Sequence, residues 1–196
     1  MSNVLETLKS EHRLIEDVLE ALQCYVLSTD QCEQTVTCEI IKDFATFFHE
    51  FIDHCHHGKE ENMLFSTISE HGVASSGGGP IHCMLEEHEQ GREHIQALLN
   101  LGNGTGLLDE KSIPAFIHHA WSYIQLMREH IYKEDQILYP MAAQMLAPEK
   151  MDTLSAAANQ FNQKTIGQTK LAGFNNLAQE LIAQSKQLPS AQLASE

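Results

Sequence analysis

One short phrase occurs twice in the chain, and it limits what the surrounding helices can do. It reads His56-His57-Gly58-Lys59-Glu60-Glu61-Asn62-Met63-Leu64-Phe65 and returns as His130-Ile131-Tyr132-Lys133-Glu134-Asp135-Gln136-Ile137-Leu138-Tyr139, in the shared frame H-x-x-K-E-[ED]-x-x-L-[FY]. Residues four apart on a helix lie one above the other, so each copy offers an imidazole nitrogen and a carboxylate oxygen to a single point. Two such points facing each other make a two-metal site. A His four residues before an acid is common in a sequence with 12 His and 27 acids, and it recurs at His12/Glu16, His49/Asp53, His57/Glu61 and His82/Glu86. Agreement at six positions between two distant segments is what distinguishes the phrase.

Helical periodicity runs through most of the sequence, and no segment alternates as a half-buried strand does. A first helix is expected over about residues 3–27, with Leu5, Leu8, Ile15, Leu19 and Leu22 as its apolar stripe. A second covers about 33–70, where Ile41, Phe44, Phe48, Phe51 and Ile52 precede the His-rich phrase. The loop over 72–79 contains Ser75-Ser76-Gly77-Gly78-Gly79, and Pro80 stands where a first helical residue belongs. A third helix over about 80–101 ends at Gly102-Asn103-Gly104-Thr105-Gly106, and a fourth runs over about 109–145, with Pro114 early and Pro140 expected to kink or end it. The expected fold is all-α: an antiparallel up-down-up-down four-helix bundle over residues 1–147, followed by a C-terminal helical extension, 148–196, packed on the bundle.

Chemistry enters at the inward positions. On the fourth helix these are Phe116, Ala120, Tyr123, Met127, His130, Glu134, Ile137 and Met141; on the third they are Ile81, Met84, His88, Gly91, Ile95 and Leu98. His12 falls between Leu8 and Ile15 on the first. Burying imidazoles and ionised carboxylates is expensive unless a partner or a metal compensates. The candidate ligands are therefore His12, His56, Glu60, His88, His130 and Glu134. A shift of register by one residue would substitute His57 and Glu61, and Asp135 competes with Glu134; the internal repeat favours the first set. Gly91 leaves space beside His88, for close packing or a small ligand. His49 and Tyr123 share a face with a ligand His and are second-layer candidates. His54, His57, His71, His94, His118 and His119 lack matching partners and are expected at the surface or in a second layer.

A formal charge of −15 disfavours nucleic acid and anionic membranes as partners. No basic stretch followed by an apolar one opens the sequence, and no apolar run approaches a membrane span, so residence in the cytoplasm is expected. The five cysteines, Cys24, Cys32, Cys38, Cys55 and Cys83, form no C-x-x-C pair and are expected as reduced thiols, with Cys55 a packing residue.

Four imidazoles and two carboxylates shared by two ions suit iron or manganese better than calcium or magnesium, and zinc could also occupy such a site. The E-x-x-H motif of ferritin-like diiron bundles is absent. The sequence resembles the hemerythrin-like, or HHE cation-binding, proteins over about residues 1–147. The likeness is carried by Glu11-His12, His56-His57-Gly58-Lys59-Glu60-Glu61, Gly79-Pro80-Ile81, Glu87-His88-Glu89-x-Gly91-Arg92 and His130-Ile131-x-Lys133-Glu134. It implies a non-haem centre of two iron ions ligated by His12, His56, His88 and His130. Glu60 and Glu134 would bridge them alongside an oxo or hydroxo group. Oxygen-carrying members have five His ligands, including an H-x-x-x-H pair on the third helix and an H-x-x-x-x-D motif on the fourth. Here Arg92 stands at the second position of that pair, while Asp135 satisfies the last motif. One fewer imidazole implies an additional open coordination position and reactivity toward O2, peroxide or nitric oxide. Binding or sensing of such an oxidant is the first expectation; an enzyme reducing peroxide or nitric oxide, or an iron-handling or iron-sulfur repair protein, are the alternatives.

Overall fold

Asn3 starts the first helix by accepting a hydrogen bond from the Leu5 N–H, 3.0 Å, in this computed structural model, which describes residues 3–31, 36–74 and 76–188. Helix α1, Val4–Asp30, buries Leu8, His12, Ile15, Leu19 and Leu22 on one stripe. Helix α2 covers residues 38–70 and is capped by the Thr37 hydroxyl, which accepts from the Ile40 N–H. Its pitch changes along its length. An α-helical start, Cys38–Phe47, gives way to π-helical turns at Phe48–His57 and Glu60–Phe65 before α geometry returns at Ser66–Glu70. The start expected near residue 33, together with Cys32 and Ser75, lies outside the described residues.

Helix α3, Pro80–Leu101, begins with Pro80 in its first turn and ends at Gly102. A 3₁₀ turn, Glu110–Ser112, leads into α4, residues 113–145, which is α-helical over Ile113–Lys133, π-helical over Glu134–Leu138 and α-helical again over Tyr139–Met145. Pro140 neither ends nor breaks it. Proline has no N–H to donate, and it falls where the hydrogen-bond ladder changes register, the place where a missing donor disturbs least. Helix α5, Pro148–Phe161, continues as a π turn over Asn162–Ile166; Gly167, at φ 86°, then reverses the chain into α6, Gln168–Ser185.

The described residues are helical apart from connections. Helices α1, α2, α3 and α4 touch in a closed ring, while α5 and α6 lie against α1 and α2. The Val4 N–H donates to Ser155 Oγ, 3.0 Å, fastening α1 to α5. Two hydrogen bonds, Leu108 N–H to Val36 O and Cys38 N–H to Gly106 O, fix the start of α2 against the connection preceding α4. None of the described helices is long and apolar enough to cross a membrane.

Two apolar clusters fill the ring. One is built around Ile15, Phe44, Phe47, Phe48, Phe116 and Ile124, the other around Leu8, Leu64, Phe65, Ile81, Leu138 and Ala142. Between them lies a layer of buried polar side chains: His12, His56, His57, Glu60, His88, His130 and Glu134.

Gly102 packs directly against the backbone of α2. A β-carbon there would lie 2.8 Å from the Lys42 backbone. Gly102→Ala is expected to lower stability by about 2 kcal/mol, or about 4–8 °C in Tm, because backbone cannot move aside as a side-chain tip can. A melting curve unchanged within 1 °C, roughly an eighth to a quarter of that shift, would contradict this contact.

Candidate metal centre

Four of the five His in the polar layer share one construction. Each Nδ1–H donates to a carboxylate on a neighbouring helix: His12 to Asp135 at 2.9 Å, His56 to Glu11 at 2.8 Å, His88 to Glu61 at 2.7 Å and His130 to Glu87 at 2.9 Å. Each carboxylate is held in turn by a cation: Asp135 by Arg13, Glu11 by Lys59, Glu61 by Arg92 and Glu87 by Lys133. Carboxylates in this position fix the tautomer and ring orientation of metal-binding histidines.

Three constant letters of the repeated phrase acquire a task from this. The leading His points its Nε2 inward. The Lys clamps the acid that orients that same His, and the [ED] position orients the His of a third helix. The dipeptides Glu11-His12 and Glu87-His88 supply the reciprocal halves.

With Nδ1 protonated, Nε2 carries a lone pair in the neutral ring, and these lone pairs face each other. His12 Nε2 lies 3.0 Å from His56 Nε2, and His88 Nε2 lies 3.1 Å from His130 Nε2. Without an ion, a proton carried by His12 or His130 must bridge each pair; with an ion, both lone pairs are free to bind it. Two donors about 2.1 Å from one ion and at right angles stand about 3.0 Å apart, which is what these pairs show. Glu60 spans the pairs, with Oε1 3.6 Å from His56 Nε2 and Oε2 3.7 Å from His88 Nε2. Glu134 Oε2 lies 3.2 Å from His12 Nε2 and 3.4 Å from His130 Nε2. Two groups that can hold a metal ion result: His12, His56, Glu60 and Glu134, and His57, Glu60, His88 and His130. Glu60 belongs to both.

Unpaired atoms point the same way. Glu60 Oε2, Glu134 Oε1 and both ring nitrogens of His57 are buried without a hydrogen-bond partner. Such atoms carry a full desolvation penalty unless something else ligates them. The donor set therefore fits metal cations.

The hemerythrin HHE cation binding domain model matches residues 3–142. The chain belongs to this family. Neither the comparison with curated proteins nor that with solved structures returned a match.

The structure brings His12, His56, Glu60, His88, His130 and Glu134 of this HHE domain into one buried layer. Glu61 and Asp135, the competing acids, stand one layer out on His88 and His12. His57 is different from what the sequence pattern suggests. It is 2% exposed and stacks on His88, with ring centroids 3.7 Å apart. A regular α-helix would turn His57 about 100° from His56; the π-helical turns underwind α2, and both rings face the interior. Tyr139 is a second unforeseen member. Its hydroxyl donates to Glu60, approaches His12 Nε2 at 3.4 Å, and its ring stacks on His12. One signal in the sequence marked both: their counterparts in the repeat, Ile131 and Phe65, are apolar and buried.

The remaining expectations fall elsewhere. Gly91 faces Tyr123, whose Cε2 would stand 3.5 Å from an added β-carbon, so it serves packing. Tyr123 lies against Phe48 in the apolar core. Cys55 is buried behind His56, where burial pushes its thiol up to about 11. His71 bonds the Thr67 carbonyl, and His94, His118 and His119 group away from the polar layer.

Electrostatics set what an incoming ion must displace. Burial would lower His12 and His130, yet their carboxylate partners, Asp135 and Glu134 for the first and Glu134 and Glu87 for the second, raise them to about 9 and about 10. Burial dominates at His56, lowered to about 4, and at His57, held well below the ordinary range with the charges of His88 and His130 adding to it. Burial and the charge of Glu134 push Glu60 up. Glu134 itself, which burial would raise, is held down by His130 and His12. Without ions the layer thus holds protons on His12 and His130, and metal binding expels them.

The sign of the pH dependence follows. His12 and His130 are raised above their unfolded value near 6.5, so their contribution to the metal-free protein is full below that pH and is lost as pH rises through 9 to 10. Metal affinity moves oppositely, since fewer protons compete. The Tm difference between loaded and metal-free protein should widen between about pH 6.5 and 9. Paired melting curves across that window check it, and a constant gap would refute the proton inventory.

Proposed function

We propose that this HHE domain, as an antiparallel up-down-up-down bundle, holds two iron ions and binds or senses O2 or a related small oxidant. His57, His88 and His130 serve one ion, His12 and His56 the other, and Glu60 and Glu134 lie across both. The facing Nε2 pairs, each locked by a carboxylate on Nδ1, are the observation that carries this reading. Iron suits mixed imidazole and carboxylate donors and, in adjacent pairs, supplies two electrons to one small molecule.

The protein's own contribution is asymmetric. His57 adds a fifth imidazole, from α2 rather than from the α3 position held by Arg92, so the His88/His130 side is richer in donors. The His12/His56 side is left for the exogenous ligand, and there the Tyr139 hydroxyl sits beside Glu60 and His12. The apolar clusters on either side exclude water from this layer. The buried free thiols of Cys38 and Cys55 suit a reducing cytoplasm.

A second reading, reduction of peroxide or nitric oxide, is favoured by one observation: a phenol proton donor stands next to the donor-poor side. Mixing the anaerobically reduced protein with O2 and following absorbance separates the two. A spectrum that forms and disappears on deoxygenation over repeated cycles supports binding or sensing. Immediate irreversible oxidation, with turnover of added peroxide or nitric oxide that Tyr139→Phe slows, supports the enzyme.

A further inference from the structure

The π-helical stretch of α2 carries metal-ligand side chains from solvent to the centre. His49, Glu50 and His54 each offer a donor atom within 4.8 Å of the others, and the two imidazole rings are 4.3 Å apart. Asp53 comes next: its Oδ2 lies 3.9 Å from His49 Nδ1 and its Oδ1 3.8 Å from His57 Nδ1. His57 belongs to the inner group and has no hydrogen-bond partner on either nitrogen. Side-chain exposure falls inward along this line, from 53% at His54 and 39% at His49 to 9% at Asp53 and 2% at His57. A helix closed by i to i+5 bonds has more than four residues per turn, so 49, 53 and 57 stay nearly in line.

We propose that His49, Glu50 and His54 form an entry site for a divalent first-row metal ion, and that Asp53 hands the ion to His57. The inference rests on the reading of the inner layer as the resident metal centre. Two cations now occupy the carboxylates of the route, and both can yield. Lys170 on Glu50 is an exposed pair, which a divalent ion chelated by three side chains outcompetes. Arg92 bonds Asp53 through Nε, while its Nη atoms hold Glu89 and Glu61, so it stays anchored when Asp53 lets go. A net charge of −15 draws cations toward such a port.

The iron-loaded protein provides the test. Titrated with Co2+ in a calorimeter, it should bind one further ion per chain at this surface, and His49→Ala/His54→Ala should lose that site while keeping its iron. Because an ion leaves by the way it enters, iron release to excess ferrous chelator should slow at least fivefold in the double variant and in Asp53→Asn, with circular dichroism unchanged. The double variant alters one exposed and one half-exposed side chain, so it keeps the test open if Asp53→Asn does not fold. A Co2+ site that survives the double substitution, or release within twofold of the unmodified rate, overturns the proposal. Unmodified protein that binds no iron would instead remove the reading beneath it.

Discussion

Glu60→Ala abolishes binding of both ions rather than one: iron content falls from about two per chain to near zero, the expected result when a buried bridging ligand is removed. Its two oxygens face opposite imidazole pairs, Oε1 toward His56 and Oε2 toward His88, and both candidate groups contain it. No other acid replaces it. Glu61 is committed to His88 Nδ1 and Arg92, and Glu134 already faces both pairs. His57→Ala is the informative contrast. His57 belongs to one group alone, so this variant keeps the His12/His56 ion and binds the other weakly. Elemental analysis of iron-grown protein, with refolding checked by circular dichroism, decides the matter. Retention of two irons by Glu60→Ala would eliminate the shared-ligand geometry.

Stripping the iron should cost the fold heavily. Ligands at core positions leave three buried imidazoles around one half and two around the other, and the metal-free layer keeps the orphan atoms of Glu60, Glu134 and His57. An ion present at a thousand times its dissociation constant stabilises by about 4 kcal/mol, which in a domain of this size is about 8–16 °C of Tm. Chelation under reducing conditions followed by calorimetry measures the shift. Restoring Fe2+ should restore the original transition, and an identical Tm before and after chelation would rule out a metal built into the core.

Much of this architecture could be read from residue order. The stripes of α1 and α3 and the stop at Gly102 are local signals, and the repeat aligned His56 with His130 and Glu60 with Glu134 by identity alone. What escaped was set by helix pitch. His57 is excluded by α-helical geometry and admitted by a π turn, and the pitch of a buried helix depends on tertiary packing that periodicity does not encode. Pro140 misled for the same reason, since its cost depends on where the ladder shifts. The orienting acids Glu11, Glu61, Glu87 and Asp135 stood in plain view within the motifs, but their partners lie on other helices, 27 to 123 residues away in sequence.

The single carboxylate shared by both groups also governs how the centre fills. The first ion to arrive immobilises Glu60 and expels protons from the layer, and the second meets a ligand already placed. Loading should therefore be cooperative, with half-filled molecules scarce at every iron concentration. Since each group draws on three different helices, neither can form in a partly folded chain. On the two-iron reading, metal capture closes the folding, and a native mass spectrum taken midway through a titration should show the empty and doubly loaded species with little between them.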